Sequence, residues 1–228
     1  MNTRGLLDQL LKSGQDLLGK QGGAAGKSAG VDLGSLLSGA GGGALAAGAM
    51  GLLLGSKRAR KLGGKALTYG GLAALGVIAY KAYGNWQAQQ AGAPRQEPQT
   101  LDRLPPAEAE QHSQAVLRAL VAAAKADGHI DERERQLIDG ELARLSPDGQ
   151  LRQWLQAELN KPLDPVELAR AASTPEMAAE MYVASVLMVD EEHFMERAYL
   201  DELARQLKLE PALKAELEAQ VRQAQAGA

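Results

Sequence analysis

The stretch TPEMAAEMYVASVLMV, residues 174–189, decides the fold. Thr174 followed by Pro175 is a helix start: the threonine hydroxyl accepts from the first free backbone N–H groups, and proline at the first helical position gives up a donor that has no partner anyway. From Met181 to Val189 the run is nearly all apolar. A helix apolar on every side has to be surrounded by other elements. The stretch therefore predicts the central, buried helix of an all-α bundle.

The sequence on either side predicts its neighbours. DPVELARAAS (164–173) repeats the start signal, with Asp164 as cap, Pro165 at the first position and Glu167 two residues on. Residues 149–159 give a short helix carrying Leu151, Trp154 and Leu155. PAEAEQHSQAVLRALVAAAKA (106–126) places Val116, Leu117, Leu120, Val121 and Ala124 at helical spacing. HFMERAYLDELARQL (193–207) and EPALKAELEAQVRQA (210–224) complete the set. No alternating run suggests a strand, and about 120 residues in some seven helices are enough to bury one core. Aromatic residues make up only 4% of the chain, which also favours helices.

Charge divides the chain. Up to residue 106 there are 12 Lys and Arg against 5 Asp and Glu, and beyond it 13 against 23. The acidic rear half is a poor match for nucleic acid, and no nucleic-acid partner is expected. There is no cysteine, which excludes disulfides and thiolate metal sites.

The corner AAAKADGHIDERERQLIDGELARL (122–145) crowds acidic residues around Gly128. A calcium-binding EF-hand loop started at Asp127 would put His129, Asp131, Glu132 and Ile138 at its third, fifth, sixth and twelfth positions, and the pattern fails. One reading makes this a helix corner: Gly128 ends one helix, Ile130 enters the core, and Asp131 with Glu134 forms a capping box. The other joins it to the similar turn DEEHFMER (190–197) as a divalent-cation site, with Asp127, Asp131, Glu134, Asp190 and Glu196 as oxygen ligands. The three histidines read as surface residues.

The front half looks membrane-associated. Residues 3–19 set Leu6, Leu7, Leu10, Leu11, Leu17 and Leu18 on one helical face, an interfacial or self-associating amphipathic helix rather than a signal peptide. From Leu33 to Ser56 there are 24 positions without a charge. As a helix this is roughly 36 Å long, enough to cross a bilayer. Gly39, Gly43, Ala47, Gly51 and Gly55 recur every four residues, a small-residue stripe suited to self-association. The other reading of this stretch is a Gly-rich loop. Lys57, Arg58, Arg60, Lys61 and Lys65 follow, then an apolar run from Ala66 to Tyr80 with Tyr69, Tyr80, Tyr83 and Trp86 placed like interfacial aromatics. That run reads as a second membrane segment, or else as a buried helix of a soluble domain. With the basic cluster inside, the rear domain faces the periplasm.

The expected organisation is an amphipathic helix and connector (1–31), a Gly-rich membrane hairpin (32–91), a Pro-rich linker (92–106) and a helical domain (107–228). No phosphate loop, nucleophile elbow or zinc helix motif is present, so an enzyme is not expected. The expected function is a membrane-anchored interaction or sensory module, with a lipid bilayer and an unidentified protein as partners. The alternative is a structural protein whose hairpin remodels the bilayer.

AAAKADGHIDERERQLI together with MYVASVLMVDEEHFMERAYLDELARQLKL resembles the TerB-like domain of tellurite-resistance proteins. The Gly-rich half with KALTYGGLAALGVIAYKAYGNW is similar to bacterial inner-membrane proteins of the YebE type, a family of unknown function. The resemblance implies an all-helical rear domain, an inner-membrane location, a role in envelope or stress response, and a divalent cation held by an acidic cluster. By motif position that cluster falls on Asp127, Glu134, Asp190 and Glu196, although Asp190 is followed by Glu191 where the pattern has glycine.

Overall fold

A computed structural model describes residues 3–5, 7, 72–90, 97–126, 149–189 and 194–226. Among these residues the protein is all-helical. The helices are α1 (Leu72–Gln89), α2 (Pro106–Ala124), α3 (Gly149–Asn160), α4 (Pro165–Ala169), α5 (Pro175–Met188), α6 (Phe194–Gln206) and α7 (Pro211–Ala226).

Helix α5 is the axis of the bundle. Thr174 Oγ1 accepts from the Met177 N–H at 3.1 Å, as the sequence requires, and every residue from Met177 to Val186 is buried. It is surrounded by α2, α1, α7 and α6. Tyr182, Met181 and Val183 have no exposed surface. Each such large side chain contributes roughly 1.5–3 kcal/mol by leaving water. Helix α4 starts as expected, with Asp164 Oδ1 accepting from Val166 N at 2.8 Å and Glu167 N at 3.2 Å.

Helix α1 differs from expectation. Residues 72–80 belong to the run read as a second membrane segment, yet among the described residues no helix is long and apolar enough to cross a membrane. Leu75, Ile78, Ala79, Ala82 and Tyr83 are buried, while Val77 is 40% exposed. The spacing is that of one helical face, and α1 packs against α7 and α5. Asn85 Nδ2 donates to Glu216 Oε1 of α7 at 2.7 Å. The aromatics have protein partners as well. Arg103 lies 4.0 Å over the Tyr80 ring, and Tyr83 and Trp86 form an edge-to-face pair with centroids 5.1 Å apart. The run looked uniformly apolar because its exposed position, Val77, is apolar as well. Its partners lie far off in the sequence.

The boundary expected near Ala107 is crossed by the core too. Thr100 and Leu101, within the expected linker, are 1% and 2% exposed, in a turn closed by Arg103 N–H donating to Thr100 O at 2.8 Å. That turn sits directly on α1. A Cβ at Gly76 would overlap the Asp102 carboxylate and lie 3.1 Å from the Asp102 backbone nitrogen, whereas one at Gly84 would meet nothing within 4 Å. Two opposite results follow for one substitution in one helix. Gly84→Ala should raise unfolding free energy by about 0.5–1 kcal/mol, because helical glycine carries an entropic cost. Gly76→Ala should lower it by about 1–3 kcal/mol through overpacking. Urea titrations giving the same sign for both would refute this placement of the turn.

The N-terminal helical turn is docked on α2. Thr3 and Leu7 have no exposed surface, and Leu7 belongs to the core cluster. The first turn of the amphipathic helix thus has the bundle itself as an apolar partner. The small-residue stripe Gly39, Gly43, Ala47, Gly51 and Gly55 lies outside the described residues.

Candidate functional site

A hollow at one end of the bundle follows from the way two chain reversals meet α1. After α4 the chain turns through residues 170–174 to enter α5. After α6 it turns at 207–210 to enter α7. The second reversal is a left-handed helix cap: Leu209 N–H donates to Ala204 O at 3.1 Å and Lys208 N–H to Arg205 O at 3.2 Å, with Lys208 at φ 56°. Glycine is the ordinary residue there. A lysine costs roughly 1 kcal/mol.

Between these turns and the end of α1 lies a groove of about 630 Å³. Tyr83 and Trp86 form one wall, Leu207, Leu213 and Ala178 the apolar base, and Arg170, Gln206, Lys208 and Glu210 the polar rim. Burial pushes the Tyr83 phenol above its ordinary range, and the nearby Glu176 and Glu210 carboxylates add to that. The phenol therefore stays protonated and remains a hydrogen-bond donor. An apolar trough with an aromatic wall and a mixed-charge rim is built to receive apolar side chains and to orient them by a few polar contacts.

Two other polar clusters find most of their partners within the protein, although Arg118 Nε in the second makes no hydrogen bond. Glu180, the lone acid in the apolar centre of α5, is fully buried. Its Oε2 lies 2.6 Å from His112 Nδ1, and its Oε1 accepts from Leu101 N–H at 2.5 Å. It joins α5, α2 and the 97–104 turn. His112, read from sequence as a surface residue, is 4% exposed. It lies on the α2 face that carries Ala109, Val116 and the other core positions, and its ring finds the buried acid of α5. His129 and His193 lie outside the described residues.

At the end of α3, Lys125 Nζ donates to the carbonyls of Glu158 and Lys161, each at 2.9 Å. Burial pushes this ammonium below its ordinary range. Lys161 is held above its range by hydrogen bonds to Glu158 and Glu167. Glu158 also faces Arg118, whose guanidinium stacks 5.5 Å over Trp154. Positive and negative groups offset one another here, around a hollow of only about 40 Å³. It is a helix junction with little room for a ligand.

Of the expected cation ligands, Asp127, Asp131, Glu134 and Asp190 lie outside the described residues. Glu196 is described: it sits in the first turn of α6, is 2% exposed and has interaction partners. Among the described residues no three histidine or acidic side chains come together as a metal site. The groove is what sequence reasoning missed. Its one signal was the spacing 75, 78, 79, 82, 83 and 86 on α1, which marks a helix with one face against the core.

Comparison with known proteins places this architecture in an uncharacterised group. Residues 39–221 match the family described as "Protein of unknown function (DUF533)". The chain is 35% identical over 127 residues to the "Uncharacterized protein in ampR 5'region" of Yersinia enterocolitica, covering 56% of this chain and 90% of that protein. No solved structure matches it. The chain is accordingly a member of the DUF533 family of proteins of unknown function.

Proposed function

We propose that this protein is a non-enzymatic interaction module that holds a helical bundle at a bacterial inner membrane and receives apolar side chains of a protein partner in the groove beside Tyr83 and Trp86. The groove is the observation that carries the reading: about 630 Å³, aromatic on one wall and mixed in charge at the rim. Lys208 supports it. A non-glycine residue held at positive φ points toward a functional constraint, and this one stands at the rim. The membrane part of the reading is supported by the leucine face of residues 3–19, the uncharged stretch 33–56 and the basic cluster after it. Self-association would use Gly39, Gly43, Ala47, Gly51 and Gly55. The resemblance to TerB-like and YebE-type proteins agrees with a helical module of this kind, and the reading makes no use of a bound cation.

Ala172 lines the groove and is only partly buried, so Ala172→Arg fills the trough without entering the core. A photo-crosslinker at Lys208 in living cells should give a discrete protein adduct, and Ala172→Arg should abolish it while leaving the circular dichroism spectrum and melting temperature unchanged. No adduct, or one that survives Ala172→Arg, overturns the reading.

A further inference from the structure

We propose that Glu110 is a latch that keeps the N-terminal amphipathic segment on the bundle and off the bilayer. Four hydrogen bonds converge on this residue of α2. Its Oε1 accepts from the Thr3 N–H at 2.7 Å and from the Thr3 hydroxyl at 2.5 Å, and its Oε2 from the Arg4 N–H at 3.1 Å. The Thr3 hydroxyl also lies 3.3 Å from the Glu110 backbone carbonyl oxygen. The first amides of a helix have no partner within the helix. Here a carboxylate from another helix satisfies two of them, and its charge complements the positive end of the helix dipole. Burial works to raise the Glu110 carboxyl, but the bonds from Thr3 and Arg4 outweigh it and hold it below the usual range. The ionised form is thus the one that grips.

The conflict with the membrane lies in Leu7. It belongs to the leucine face of residues 3–19, and it has no exposed surface because it is in the bundle core. One face cannot be buried in the bundle and in lipid at once, so docking and membrane engagement compete. The latch rests on the proposed reading of residues 3–19 as an interfacial helix. Glu110 itself is only partly buried, so replacing it leaves the bundle folded.

The full chain is tested in vesicles of phosphatidylethanolamine and phosphatidylglycerol that carry doxyl-labelled lipid. The protein has no cysteine, so Leu10→Cys gives a single site for a bimane label on the leucine face. Glu110→Ala should shift the balance of docked and released forms about tenfold, the size expected from losing charge-assisted hydrogen bonds. It is read as a matching rise in quenching by the lipid. Thr3→Val, which removes only the hydroxyl bonds, should give a smaller rise. Amide exchange of the N-terminal peptide should be slow in the wild type and fast in Glu110→Ala. Equal quenching in the wild type and Glu110→Ala overturns the latch alone. No quenching in either overturns the interfacial reading and the competition with it. Fast exchange in the wild type overturns the docked turn.

Discussion

Residues 107–228 on their own are expected to show no cooperative thermal transition, while residues 70–228 melt as a unit. By composition the helical domain begins at Ala107, but its core begins earlier in the chain. Leu75, Ile78 and Tyr83 of α1 are each less than a tenth exposed and belong to the same buried cluster as α5 and α7. At roughly 1.5–3 kcal/mol each, their burial contributes about 5–9 kcal/mol. That rivals the whole net stability of an ordinary domain, about 5–15 kcal/mol. The shorter fragment also loses Leu101 and the N–H that Glu180 accepts. Scanning calorimetry of both fragments checks this. A cooperative transition of the shorter one within a few degrees of the longer would mean that α1 is an accessory to the bundle.

Glu180→Ala in the full chain should cost about 3–5 kcal/mol, since it strands two buried hydrogen-bonding groups at roughly 1–3 kcal/mol each and leaves a cavity. For a domain of this size that lowers the melting temperature by about 6–20 °C. The loss is large because the acid serves two partners. Without it, His112 and the Leu101 N–H are both left in the interior with nothing to bond. The double change Glu180→Leu with His112→Leu should recover part of the loss, since an apolar pair strands no side chain. The Leu101 N–H stays unpaired, so roughly 1–3 kcal/mol of deficit should remain. Denaturant titration of wild type, Glu180→Leu, His112→Leu and the double variant gives the coupling directly. A Glu180→Ala loss below about 1 kcal/mol would show that water replaces the carboxylate at little cost.

What was legible in the sequence was whatever depends on near neighbours. The caps at Asp164 and Thr174 are local chemistry, and both were readable. So was the central place of α5, because a capped apolar helix of 14 residues is too short to cross a bilayer and has to be covered by its neighbours. Helix α1 was misread because its meaning depends on α7, more than 120 positions away, and an apolar run serves a bundle and a bilayer alike. His112 was misread for the same reason: one histidine carries no sign of its environment, and its partner Glu180 lies on another helix. Only the α1 face of the groove left a trace in the sequence, since the rest is assembled from α4, α5, α6 and α7. The acidic corner at 127–134 lies outside the described residues, and the sequence alone still bears on it.

The docked N-terminal turn ties together positions far apart in the chain. Leu7 and Leu75 are members of one buried cluster. Loop-closure entropy grows slowly with the number of residues between two such positions, by about 0.6 kcal/mol for each doubling. Lengthening the intervening sequence should therefore weaken the docking far less than a single substitution at Thr3 or Leu7, whose contacts hold it.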